Sequence, residues 1–170
     1  MLPSFKNILY CTMIGPNSPY IFKHALALSE LSGGKIHIIH VMEALSPRQE
    51  ELVEHFVSRS LIEQLHKNDV EEAKERLKKR LIALCPSEDG DNISAMIASI
   101  SIVSGKPTEE ILKKADEIEA DFIVMGATST HSIFQKVIGN TAQNIVSQAK
   151  VPVLTVQVPE GFQLKGVSDI

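Results

Sequence analysis

The residues best suited to chemistry lie between Gly126 and Thr141, where Gly126, Thr128, Ser129, Thr130 and Ser132 are followed by Gly139, Asn140 and Thr141. Small residues let a backbone approach a ligand closely, and the free N–H groups at a helix start attract anions, so the pattern suits a phosphate. A turn rich in small residues with an ordinary helix cap produces the same spelling.

Other arrangements carry less. Gly105-Lys106-Pro107-Thr108 has Ile100 where a P-loop needs its first glycine, and Pro107 where the hydroxyl residue should follow the lysine. The three spaced glycines of a dinucleotide fold are absent after the first strand. Ser129, His131 and Ser132 are neighbours on one loop, which rarely orients a nucleophile and its base. His37 and His40 fall on opposite faces of a strand and cannot share a metal, while His55 and His66 sit in a polar helical stretch facing solvent. Cys11 and Cys85 show neither metal nor redox spacing and read as plain thiols.

The elements that must position the loop follow from periodicity. Short apolar runs alternate with helical patterns, the signature of a parallel sheet covered on both faces. Strands are expected at Asn7–Cys11, Ile36–Val41, about Ser94–Val103, Asp121–Met125 and Val151–Val156. Ser18 reads as the N-cap of a helix with Pro19 at its first turn, Ile21, Phe22, Ala25, Leu28 and Leu31 inward, and Gly33-Gly34 as its stop. Ser46–Leu84 reads as two helices or one broken near Lys67–Asp69, Pro86–Asn92 as a loop, and Pro107–Ile118 and Asn140–Ala149 as further helices. The expected fold is α/β, a doubly wound five-stranded parallel sheet, in which ligands bind beyond the strand ends where the winding reverses. That rule selects the loops after strands one and four.

Composition agrees with one domain over residues 1–158 and a turn-rich tail over 159–170, from a chain of 170 residues that is 44% hydrophobic and 22% charged. A net charge of −4 argues against nucleic acid. The basic run Lys74–Arg80 is interleaved with Glu71, Glu72 and Glu75 behind Val70, Ala73, Leu77 and Leu81, as on the solvated back of an amphipathic helix. Neither a membrane-length apolar run nor a secretory leader is visible, so a cytoplasmic location away from membranes is expected.

Several landmarks together resemble the universal stress protein family: Lys6–Thr12, Gly105–Leu112, Ile123–Gly126, Val137–Gly139 and Ala149–Val156, spanning nearly all of Phe5–Val156. The resemblance implies an adenine-nucleotide alpha-hydrolase-like fold, with strand order 3-2-1-4-5, and a stress-response role. It implies ATP or AMP bound by Thr12, Met13, Val41, Met125, Gly126, Ser129, Gly139, Asn140 and Thr141, with Mg²⁺ undetermined. It also implies a homodimer through strand five, using Val151, Val153, Leu154 and Val156. The family's nucleotide loop runs Gly, two residues, Gly, nine residues, Gly, then Ser or Thr. Here Gly126 and Gly139 match, while Ser129 and Asn140 depart from it.

A serine in a left-handed conformation costs roughly 1–2 kcal/mol. Met13 replaces the family's aspartate at the end of strand one, removing charge-assisted hydrogen bonds of roughly 1.5–3 kcal/mol, or about one to two decades of affinity. A weak nucleotide binder and a nucleotide-free dimeric scaffold acting through protein partners both fit. With no acidic general base assignable near the loop, ATP hydrolysis is not expected.

Overall fold

The computed structural model describes residues 2–12, 17–43, 59–83, 90–127 and 138–159. Its strands are β1 (Asn7–Cys11), β2 (Lys35–Glu43), β3 (Ile97–Gly105), β4 (Phe122–Gly126) and β5 (Val153–Val156). Its helices are α1 (Ser18–Ser32), α2 (Arg59–Ala83), α3 (Gly90–Met96), α4 (Pro107–Glu117) and α5 (Asn140–Gln148). The strands form one parallel sheet in the order β3-β2-β1-β4-β5.

Side chains alternate across this sheet, so each strand feeds two cores. Ile8, Tyr10, Ile36, Ile38, Val124 and Val156 pack with Phe22, Ala25 and Leu26 of α1, Leu77 and Leu81 of α2, and Ile93 of α3. Leu9, Cys11, Ile39, Ile123 and Met125 pack with Ile111 and Ala115 of α4 and Ala142 and Ile145 of α5. At the amino end, the Asp121 carboxylate accepts the Lys6 and Asn7 N–H groups at 2.8 and 3.0 Å, pinning β1 beside β4.

Five local expectations are corrected. The N-cap of α1 is Asn17, and Ser18 is already helical. Its buried hydroxyl instead meets Thr12 Oγ1 at 3.2 Å, and its carbonyl accepts the Tyr10 hydroxyl at 2.8 Å, so tertiary bonds outcompete the cap. Leu31 is 86% exposed, because the buried stripe runs through Phe22, Ala25 and Ser29. Ser29 is drawn inward by donating to the Gly34 carbonyl at 2.6 Å.

Helix α2 runs unbroken through Lys67–Asp69. Asn and Asp inside a helix cost at most about 0.7 kcal/mol each, too little to break it. Finally, Gly90–Asn92 open α3 rather than close a loop, and Ser94–Met96 end it rather than begin a strand, because a helical turn is what carries Ile93 into the core at 1% exposure. Lys35 Nζ donates to the Ala95 carbonyl at 2.7 Å and satisfies that helix end. The expected helices before residue 59, Cys85 and the tail from residue 160 lie outside the described residues.

His37 and Ser99, side by side on β2 and β3, share a hydrogen bond of 2.8 Å between Nδ1 and Oγ. Burial, and then the Lys114 ammonium, lower the pKa of His37 below its usual value. The unfolded chain therefore binds a proton that the folded chain does not, between the lowered pKa and the ordinary one near 6.5. This contribution to stability is complete above that ordinary value and is lost as pH falls through the lowered one. In urea titrations from pH 7.5 downward, His37→Asn is expected to flatten the decline; a slope identical to wild type counts against this assignment.

Candidate functional site

The winding reverses between β1 and β4. β1 leads to α1 on one face of the sheet, and β4 leads towards α5 on the other, so the carboxyl ends of these strands are where the reversal rule places a ligand crevice. Cys11 stands opposite Met125 in the register at its floor.

Thr12 closes the β1 side and is held on three sides. Its N–H donates to the Ile39 carbonyl at 2.9 Å, its Oγ1 meets Ser18, and its carbonyl accepts a hydrogen bond of 2.9 Å from His40 Nδ1. Since a carbonyl only accepts, His40 must carry its proton on Nδ1. Sequence reasoning considered His40 only as a metal ligand. Its place beside Val41 at the carboxyl end of β2 was the signal that it borders the crevice.

On the β4 side, Met125 is buried among Ile39, Ile123 and Ile145, and Gly126 ends the strand opposite Val156. Ala127 N–H donates to the Val156 carbonyl at 2.9 Å, and the Ala127 carbonyl accepts the Gly139 N–H at 2.8 Å. That second bond joins the end of β4 to the start of α5. Gly139 is the N-cap of α5, extended at φ −62° and ψ 153° and without a side chain to cap the helix.

The first turn of α5 contains no acidic residue. Among the described residues, the N–H groups of Asn140, Thr141 and Ala142 meet no acceptor. An uncapped, unneutralised helix start presents both oriented donors and roughly half a positive charge. Asn140 is exposed and Thr141 half-buried, so both are reachable. Val41 is half-buried and packs with Val103 beside the second core. The structure therefore brings Thr12, Val41, Met125, Gly126, Gly139, Asn140 and Thr141 to one end of the sheet, while Met13 and Ser129 lie outside the described residues.

Metal and thiol chemistry find no support in the described residues. No group of His, Cys, Asp or Glu converges among them, and burial pushes the Cys11 thiol far above its ordinary pKa, which keeps it protonated. No helix among them is long and apolar enough to cross a membrane.

A parallel 3-2-1-4-5 sheet covered by helices on both faces, with its winding reversed between β1 and β4, defines a doubly wound α/β protein. The chain belongs to the universal stress protein family, whose model matches residues 4–157. It is similar to universal stress protein MJ0577 of Methanocaldococcus jannaschii, 25% identical over 159 residues covering 90% of this chain and 95% of that protein. The solved structure of MJ0577 aligns with a TM-score of 0.66 at 26% identity, over 91% of this chain and 97% of that one. UspA from Lactobacillus plantarum aligns at 0.65 and 20% identity, over 91% and 99%. A universal stress protein solved in complex with cAMP aligns at 0.52 and 18% identity, over 91% and 98%.

Proposed function

We propose that this universal stress protein binds an adenine nucleotide, ATP or AMP, in the crevice beyond β1 and β4. Its phosphates rest on the N–H groups of Asn140 and Thr141, and its base lies towards Val41. The observation that carries the reading is the open first turn of α5, which lacks both a side-chain cap and an acidic residue. Met13 supplies no carboxylate to the nucleoside, so the expected dissociation constant is weak, about 0.1–1 mM. The protein works as a homodimer, and β5, an edge strand bonded among the described residues only to β4, is the surface proposed to pair with its copy.

Calorimetry with ATP and AMP tests the site, and Gly139→Asp sharpens it. Aspartate suits the observed N-cap backbone and strengthens the helix, yet places a carboxylate where a phosphate would sit. The variant is expected to melt no lower than wild type while losing at least about tenfold in nucleotide affinity. Absence of heat at about 5 mM nucleotide, beyond the weak range just stated, rejects the site and favours a scaffold that acts through protein partners. Unchanged binding by Gly139→Asp removes the phosphates from α5.

A further inference from the structure

A second concavity lies at the opposite, amino end of the sheet, where the last turns of α4 and α5 converge. It is a cleft open to solvent, with about 390 Å³ of space over an apolar floor of Leu112, Ala115, Ala120, Ile123 and Val151. Cavities of roughly 300–1,000 Å³ are the size that holds small organic ligands. The space exists because Ala115, Ala120 and Ala149 stand where larger side chains would fill it.

The rim is polar, and its charges can be counted. Asp116 of α4 and Lys150 beyond α5 pair across it, with Lys150 Nζ 2.9 and 3.1 Å from the two carboxylate oxygens, and so neutralise each other. Glu119 has no ion pair among the described residues. Both helices also end here, and each adds a partial negative charge. The concavity thus combines an apolar floor with a net negative mouth.

Glu119 adds an independent observation. It occupies the left-handed residue of a Schellman turn, at φ 50°, with its N–H donating to the Asp116 carbonyl at 3.3 Å and the Ala120 N–H donating to Ala115 at 2.8 Å. Glycine is the residue that position favours. A glutamate held there, unpaired, at the mouth of a cavity is costly for the fold and useful to a cation.

We infer that this cleft binds a small organic cation, a protonated amine on an apolar body, with the apolar part on the Ala115–Val151 floor and the ammonium at Glu119. An acidic ligand would have to displace Asp116 from Lys150. The modest volume, about 390 Å³, is the size of a small molecule rather than of an inserted helix or strand.

Titration of the full chain with 2-phenylethylammonium, followed by calorimetry and by amide chemical shifts, tests the inference. The neutral 2-phenylethanol and the anionic 3-phenylpropionate serve as matched probes. Saturable binding of the cation is expected at about 1 mM, with the other two at least about fivefold weaker and with shifts confined to the ends of α4 and α5. Glu119→Gln is expected to weaken the cation about fivefold, as suits an exposed charge.

Glu119→Gly is expected to lose the same affinity while melting about 2–4 °C higher, which separates the site from the fold. Equal binding of all three probes, no saturation, or binding unmoved by both Glu119 variants overturns the inference. Because the nucleotide crevice lies at the other end of the sheet, shifts at Val41 or Asn140 also overturn it, whatever the outcome with ATP.

Discussion

Replacing Gly34 by alanine is expected to cost about 3 kcal/mol or more, read as a lower urea midpoint with an unchanged slope. A Cβ on Gly34 would run into the Phe5 carbonyl oxygen and come within 3.1 Å of the Lys6 carbonyl oxygen and 3.0 Å of Ser32 Oγ. Two of these three are backbone atoms and cannot swing aside. The crowding sits where the β1–β2 ladder begins, since Lys35 N–H donates to the Lys6 carbonyl at 2.7 Å and Asn7 stands opposite Lys35. Relief would therefore require separating the two central strands. Gly33, one residue earlier, makes a control: nothing lies within 4 Å of its Cβ position, but its φ is +69°. Gly33→Ala should cost only the left-handed penalty of about 1–2 kcal/mol. A Gly34→Ala variant as stable as Gly33→Ala would refute the steric account.

That pair shows which features were legible in the sequence. Two glycines after an apolar helical stripe announce a helix end, because the signal is local. That the first serves a backbone angle and the second a close approach is decided by Phe5 and Lys6, which the chain brings back from the preceding strand. The same division runs through the fold. Alternation and handedness pointed to a doubly wound parallel sheet, the family resemblance supplied the order 3-2-1-4-5, and all five strands overlap the apolar runs that predicted them, with ends displaced by at most three residues. Ser18, Leu31 and Ser94 were misplaced because a tertiary hydrogen bond, a rotated buried stripe and a core-seeking Ile93 overruled local preference.

The two clefts differ in the same way. Gly139, Asn140 and Thr141 open a helix beside the reversal point, and both facts can be read from adjacent residues. The concavity at the amino end is made by alanines on α4, on the turn after it and beyond α5. No spacing in the sequence shows that the ends of α4 and α5 meet. Glu119 was equally hidden, since a glutamate in a left-handed turn spells no motif.

Val156→Asp is expected to abolish stable folding, and that outcome would say nothing about assembly. Val156 is 6% exposed and packs with Tyr10, Phe22 and Val124, and Leu154 packs against the same cluster. A carboxylate buried there without a partner costs several kcal/mol, of the order of 4, which is much of a domain's stability. Val151 and Val153 pack partly buried against the other core, so of the four side chains first read as a dimer surface only Val156 is fully buried within the chain. What β5 leaves open is its backbone. The Ile123 N–H donates to the Pro152 carbonyl at 3.0 Å and the Ala127 N–H donates to the Val156 carbonyl at 2.9 Å. Because parallel pairing alternates, Leu154 also turns its backbone groups to β4, and those of Val153 and Thr155 face outward. Thr155→Pro therefore removes an outward donor without breaking the β4 ladder, an edge-strand setting in which proline is tolerated. If two copies join through β5, this variant should raise the dimer dissociation constant at least about tenfold in sedimentation, with the melting temperature nearly unchanged. A folded Thr155→Pro protein that remains as dimeric as wild type would move the interface elsewhere on the molecule.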